Sequence, residues 1–539
     1  MFGRPELLRK LVLEDTAWYD GRHEQDMFLQ HLPDHPSGST SRPGRQLQRV
    51  RQRDLSEVGG RSSENVYRAT EGIVQDLGVL ALDGESAGSL RLGHRDRHAG
   101  FADYSRGLML PIERKSVEPL AAHTDPLHVS AKHQSLHHLV AQSEWSDKAV
   151  LKCVRNWVMP KLGAKSRFYW IVDDSGFPKK GVHSVGVARQ YCGQLGKQDN
   201  CQVAVSLSLT TERGSVPIDW RLYLPEKWVK DRRRRKKAGV PEELKFQTKP
   251  QIALEQIRAA KAAGVAIGIV LADAGYGNET AWREALSEME LEYCVGVQSV
   301  TTVWAAGTGP VPPKGKNKIG RPRTRWQRVA GATPLNVKGV SETLSARRWH
   351  RVVWREGTNE KLSSRFAAVR VRAAHRDEEG LRSPRQDQWL LIEWPQDQAE
   401  PSKYWLSTLP ADTALVDLVN TAKMRWRIER DYQELKQEFG LSHYEGRGWR
   451  GFHHHATLCI AAYGFLLAQR LKHDGSKKNS TRSKIPSLPQ DYIPRGSPAR
   501  ATSRARFHRH PALLARLQHH QKTGSMSVLQ HSEPTLMTQ

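Results

Sequence analysis

The sequence predicts an α/β protein with a mixed sheet flanked by helices. Three observations predict it. From about 166 to 225, strand-like runs follow one another through short polar turns, as antiparallel neighbours do. From 249 to 298, strands alternate with helical patterns, the order of strands joined through helices. From 300 to about 408 the pattern breaks into proline- and glycine-rich loops with more strand-like runs, and helical patterns resume after it.

Residues 1–100 are polar, rich in Arg and Gly, and weakly periodic. "HPSGSTSRPGRQLQRVRQRD" reads as a disordered basic segment with no assignable fold or task. From 101 to 165 the chain turns helical: "QSLHHLVAQ" and "DKAVLKCVRNWV" place apolar residues at helical spacing. "RFYWIVDD" (167–174), "NCQVAVSLSLTT" (200–211) and "SVPIDWRLYLP" (215–225) are strands, with "GQLGKQDN" as a turn. "KPQIALEQIRAAKAAG" (249–264) is a helix closed by glycine. "VAIGIVLAD" (265–273) is a continuous apolar strand, as expected of one covered on both faces. "NETAWREALSEM" is a helix and "LEYCVGVQ" a strand. Within 300–408, "RWHRVVWRE", "RFAAVRVRAA" and "QWLLIEWP" read as an inserted β-rich module. One long helix follows from about 412 to 439, with Asp412 as its N-cap and Gly440 as its stop. An apolar helix runs from about 453 to 470. Residues 471–539 form a basic, proline-broken, flexible tail.

Charge narrows the function classes. Lys and Arg number 83 against 57 Asp and Glu, a formal net charge of +26. Such an excess favours a polyanionic partner, nucleic acid first. No basic amphipathic helix with a clear apolar face stands out, and "ATLCIAAYGFLLA" is shorter than the ~18 residues a membrane span needs, so no membrane is expected. Five cysteines without a C-x-x-C pair argue against a disulfide framework or a cysteine zinc site and suit a reducing cytoplasm.

Three acids carry the chemistry. Asp173 or Asp174 ends the first strand, Asp273 ends the fourth, and Glu429 lies in the helix after the insertion. Adjacent strand ends bring the aspartates together, and a packed helix can deliver the glutamate. Three close carboxylates repel unless a divalent cation neutralises them, and an all-oxygen set suits Mg²⁺ or Mn²⁺. Two such ions about 4 Å apart can drive in-line displacement at a phosphodiester. Arg425, Glu429 and Lys436 recur at helical spacing and share one face, a carboxylate between two cations that suits phosphate contact. Lys179 and Lys180 follow the first aspartates and are further phosphate candidates. "DRRRRKK" (231–237) reads as a basic loop adding affinity without base preference. Taken singly, each acid reads more simply as a turn residue or a solvated charge.

The stretches "DDSGFPKKGVHSVGVARQYCGQLGKQDNCQVAVSLSL", "PIDWRLYLPEKW", "LADAGYGN" and "RWRIERDYQELKQEFGLSHYEGRGWRGFHHHATLCIAAYGFLLA" together resemble the IS701 family of insertion-sequence transposases, akin to IS4-type DDE transposases. The likeness runs from about 101 to 470. It implies an RNase H-like fold with the β-rich insertion before the last catalytic helix, and a catalytic domain over 166–470 with the insertion at 300–408. It implies a metal-dependent triad of Asp174, Asp273 and Glu429, with Asp174 preferred because a small hydroxyl residue follows it. Side-chain alternation leaves Asp173 open, since both faces of the strand are apolar. It implies two Mg²⁺ (or Mn²⁺) ions and double-stranded DNA partners, namely terminal inverted repeats and target DNA. It also implies a homodimer on DNA and a bacterial, nucleoid-associated location in the cytoplasm. Arg425, Glu429 and Lys436 match three members of the family's Tyr-Arg-Glu-Lys signature, whereas the tyrosine position falls on Ala422. The helical region 101–165 is the candidate for recognising the terminal repeats. The alternatives are an RNase H-like nuclease or resolvase, and an inactive repressor that binds its own element. His453, His454 and His455 point three ways on a helix and read as packing or phosphate contacts. Trp304 or Trp405 is a candidate for stacking on a base.

Overall fold

A computed structural model describes residues 92, 94–311, 326, 333–356, 361–374 and 385–479. The first ninety residues and most of the basic tail, read above as disordered, therefore lie outside the described residues.

Four helices open the described chain: α1 (Arg95–Met109), α2 (Val117–Thr124), α3 (Val129–Ala141) and α4 (Asp147–Val158). Ser146 caps α4 by accepting from the Ala149 N–H at 3.2 Å. The helical expectation for 101–165 holds, but α1 starts before it. Phe101, Tyr104 and Leu108 of α1 and Val150, Val154 and Val158 of α4 join the main hydrophobic core, so these helices have no separate core.

The sheet begins with β1 (Tyr169–Pro178), β2 (Ala188–Cys192), β3 (Lys197–Thr210) and β4 (Ser215–Leu222). β1 runs antiparallel to one edge of β3. β2 and β4 share its other edge, at opposite ends of this 14-residue strand. β2 and the first residues of β3 occupy "ARQYC" and "KQDN", the latter expected as a turn. α5 (Glu226–Lys230), α6 (Arg232–Ala238) and α7 (Lys249–Ala262) follow. The basic run expected as a loop is thus helical. Asp231 caps α6, accepting from the Arg234 N–H at 2.9 Å, and Gly239 ends it at φ +64°. Thr248 and Gln251 form a reciprocal capping box on α7.

β5 (Ile269–Ala272) lies parallel to β1. After the short turn of helix α8 (Ala274–Gly277) and α9 (Thr280–Glu288), β6 (Tyr293–Val297) lies parallel to β5. The order β4-β3-β1-β5-β6, antiparallel then parallel, is the mixed sheet of an RNase H-like fold.

The remaining strands are β7 (Thr302–Ala305), β8 (Leu335–Asn336), β9 (His350–Glu356), β10 (Lys361–Ala373), β11 (Gln388–Trp394) and β12 (Lys403–Ser407), with α10 (Val337–Glu342) between β8 and β9. They form no detached module. β12 pairs antiparallel with β6, and the order continues β12-β11-β10-β7-β8, with β9 beside β10. One sheet of twelve strands spans the described residues.

The single helix expected at 412–439 is two. α11 (Leu415–Lys423) and α12 (Trp426–Gln437) meet at Met424 and Arg425, which keep helical dihedrals. There the Arg427 and Ile428 N–H groups bond to the Met424 and Arg425 carbonyls, three residues back instead of four, which interrupts the α-helical bonding pattern. Ala414, not Asp412, occupies the N-cap of α11. Gly440 does adopt a left-handed φ of +67° after α12. α13 (Trp449–Asn479) passes through the core, burying Leu458, Ile460, Ala462 and Phe465. No described helix is long and apolar enough to cross a membrane.

Candidate active site

β1 is buried along its length except at Asp173, Asp174 and its last residue. Its parallel pairing with β5 is Tyr169↔Ile269, Trp170↔Val270, Ile171↔Leu271. Continued two residues, that register sets Asp173 opposite Asp273. Asp273 still has extended backbone (φ −81°, ψ −176°), so the alternation of side chains reaches it. In-register residues of parallel strands face the same way, one strand spacing of about 4.8 Å apart. Asp174, one residue on, faces the opposite side.

The side-chain contacts follow that division. Asp173 Oδ2 accepts from Arg425 Nη1 at 3.1 Å, and Arg425 Nη2 donates to Glu429 Oε1 at 3.1 Å. One guanidinium therefore joins β1 to the first turn of α12. Asp173, Asp273 and Glu429 together raise the pKa of Arg425 against the opposing effect of burial. Asp174 instead pairs with Lys249 at the start of α7, on the other side of the sheet. Burial pushes the Asp173 carboxyl up to about 7; Arg425 opposes this, while the charges of Asp174 and Asp273 add to it.

Asp273 is placed by close packing of α8 on β6. Its carboxylate accepts from the Gly275 N–H at 2.9 Å, capping the short helix. A Cβ on Gly277 would lie 2.0 Å from the Gly296 carbonyl oxygen, and one on Gly296 would lie 3.0 Å from the Ala274 backbone nitrogen. Only glycines permit that approach. The "LADAGYG" stretch is thus a strand end, a cap and a contact surface within a few residues.

The other sequence candidates take different places. Lys436 Nζ donates to the Gly176 carbonyl at 2.9 Å and lies over the Phe177 ring, 4.9 Å from its centroid. Burial lowers its pKa. Lys179 donates to the Tyr444 carbonyl at 3.0 Å and is half-buried, whereas Lys180 is exposed. His453, His454 and His455 are buried, each with its pKa lowered to about 4 by burial. His453 Nε2 accepts from the Leu222 N–H at 3.2 Å, His454 stacks on Trp145, and His455 meets the Tyr104 hydroxyl at 2.9 Å. These are packing roles. Trp304 is 2 % exposed and cannot stack on a base, while Trp405 is half-buried against the Lys423 ammonium.

Sequence reasoning missed Lys249 and Lys423. Lys423 Nζ bonds both carboxylate oxygens of Glu393 on β11, at 2.8 and 2.7 Å, beneath Trp354. Tyr276 sits within "LADAGYGN" without a role assigned from sequence. Its buried hydroxyl has no hydrogen-bond partner among the described residues, and after burial the charges of Asp174, Asp173 and Asp273 raise its pKa most.

The donor set of Asp173, Asp273 and Glu429 is all oxygen, which suits a hard divalent cation. Among the described residues no three His, Cys, Asp or Glu side chains converge closely enough to hold one. In this arrangement the positive charge between the acids is the Arg425 guanidinium, so the residues fit a cation once that side chain gives way.

Comparison with known proteins supports the same region. A family described as DDE superfamily endonuclease matches residues 90–361, just over half of the chain. The match includes Asp173, Asp174 and Asp273 and ends before Glu429. A probable transposase for insertion sequence element IS701 from Microchaete diplosiphon is 33% identical over 167 residues, 31% of this chain and 41% of that protein. The chain thus spans about two fifths of the length of that curated relative.

Proposed function

The chain belongs to the DDE superfamily endonucleases, and from that premise we propose that it is a DNA transposase whose acids are Asp173, Asp273 and Glu429. The observation that carries the residue choice is the Arg425 guanidinium bonded to both Asp173 and Glu429. The continued β1–β5 register supports it by setting Asp173, not Asp174, opposite Asp273. Asp174 is then a structural acid held by Lys249.

Two divalent ions, Mg²⁺ or Mn²⁺, would be held by these three carboxylates and supply Lewis acidity at a phosphodiester. The chain's own residues do the rest. Arg425 exchanges a carboxylate for a DNA phosphate oxygen, which frees the acids to approach one another. Guanidinium matches phosphate in two-point hydrogen bonding as well as it matches carboxylate. Lys436, fixed on the Gly176 carbonyl, holds α12 against β1 and keeps Glu429 near Asp173. In the first reaction a water oxygen joins phosphorus as the bond to the 3′ oxygen breaks, leaving a 3′-hydroxyl. That hydroxyl then attacks a target phosphodiester in line, and one target 3′ oxygen leaves. The substrates on this reading are terminal inverted repeats and target duplex, with α1–α4 reading the repeats and two copies holding the two ends.

The test is Glu429→Ala. Binding of terminal DNA is expected to persist, while Mg²⁺-dependent strand cleavage falls by about a hundredfold or more. Cleavage at the wild-type rate overturns the assignment. A pre-cut end carrying a 3′-hydroxyl separates a transposase from a plain nuclease, because only the transposase joins it to target DNA.

A further inference from the structure

The run Arg232–Lys237 packs six cations into one seven-residue helix, α6. Like charges at (i, i+4) destabilise a helix, and Arg232/Lys236 and Arg233/Lys237 are two such pairs. The fold holds α6 in spite of this by giving two of the six a structural task. The Arg234 guanidinium lies over the Trp228 ring, 3.8 Å from its centroid, and donates to the Val182 carbonyl at 2.9 Å. Arg235 donates to the carbonyls of Pro241 at 2.5 Å and Glu242 at 3.0 Å. Asp231 and Gly239 cap the two ends.

The other four behave differently. Arg232, Arg233, Lys236 and Lys237 are all exposed, and among the described residues their side chains make no hydrogen bond or ion pair. By helical spacing they form two adjacent rows on one face. Lys237 also opens onto a cleft of about 640 Å³ between α6, α3 and the loop after α12, where Arg447 is exposed and His133 and His137 face across. Glu118 and Glu445 line the same cleft. The Val182 carbonyl bonded by Arg234 belongs to the segment leaving β1 just past Lys180, so α6 is tied to the chain that follows β1, the strand that carries Asp173 and Asp174 in its middle.

We infer that this four-cation face is a preformed platform for the phosphodiester backbone of duplex DNA, separate from the carboxylate site and indifferent to base sequence. The inference rests on the transposase reading for its choice of DNA. A capped and anchored helix loses little backbone freedom on binding, and a polyanion relieves the repulsion that α6 carries in isolation. Its contacts reach phosphates alone, so it adds affinity equally to terminal and unrelated duplex.

The test uses the full chain and two double variants, R232Q/K236Q and R233Q/K237Q, with R232K/R233K as the charge-preserving control. The measurement is binding to a terminal-repeat duplex and to an unrelated duplex over a range of salt. Each released phosphate contact contributes ~0.9 to the slope of log affinity against log salt. Each double variant is expected to lower that slope by about 1–2 on both duplexes, and the Lys control to leave it unchanged. An unchanged slope in both double variants overturns the inference, as does a loss confined to the terminal duplex. If the wild type cuts terminal DNA while the variants keep its slope, this inference fails alone. If the wild type neither binds nor cuts duplex DNA, the transposase reading fails with it.

Discussion

A one-residue step along β1 separates two carboxylates with different partners, Arg425 for Asp173 and Lys249 for Asp174. Asp173→Asn is therefore expected to abolish cleavage while terminal DNA still binds. Asp174→Asn is expected to keep most cleavage and lower the melting temperature. Paired cleavage and melting measurements check both, and the reverse pattern would restore Asp174 as the reacting acid. The two aspartates were visible in the sequence, but the choice between them was not. It depends on the β1–β5 register and on where Arg425 lands, and both are tertiary facts. Asp147 supplies a pH prediction. Burial pushes its carboxyl up to about 7. An acid raised in the folded state costs nothing below about pH 4, where both states hold the proton, and its cost grows until the folded state also ionises near 7. Asp147→Asn is therefore expected to stabilise the protein at pH 8 and to leave it unchanged near pH 4. Each tenfold difference in proton affinity between the folded and unfolded states is worth about 1.4 kcal/mol, so the ceiling is a few kcal/mol. Denaturant melts at the two pH values measure it.

At the scale of elements, the junction between α11 and α12 lies one turn before Glu429, and an ion pair ties the end of α11 to β11. Lys423, the last residue of α11, is 15 % exposed and Glu393 only 4 %. Removing one partner of such a pair strands the other charge, at a cost of about 3–5 kcal/mol. Lys423→Met is expected to destabilise by that order and to slow cleavage with DNA binding intact. The double variant K423M/E393Q should regain part of the stability, and a double-mutant cycle in urea measures the coupling. Helical periodicity over 412–439 was legible, but the break at Met424 and Arg425 was not, because no proline or glycine marks it. It arises from a switch to three-residue hydrogen bonds and from side-chain anchors on either side. Strands with alternating or continuous apolar runs were legible for the same reason that helices were. β2 was missed because its pattern of buried and exposed residues is short and polar.

At the scale of the whole molecule, the inserted strands extend the catalytic sheet through β12 on β6, and α1–α4 share its core. The sequence marked the insertion by its loop composition. Continuity with β6 was hidden because edge pairing between distant strands leaves no local pattern. Likewise, helical spacing identified α3 and α4 but not their burial against α13. Deleting residues 1–110 is expected to lower the melting temperature sharply, since it removes Phe101, Tyr104 and Leu108 from the core at about 1.5–3 kcal/mol for each large side chain. Calorimetry of the shortened chain checks this, and an unchanged melt would show that α1 is dispensable to the fold.

The guanidinium between Asp173 and Glu429 has a consequence for the idle protein. On the proposed transposase reading, a copy with no transposon end bound would keep Asp173 and Glu429 on an internal counter-charge, and a divalent cation would have to compete with Arg425 for the same oxygens. On that reading, arming would require a phosphate to draw that arginine away. Stray copies roaming a chromosome would be safe by default, and danger would arise only where the right strand is already seated.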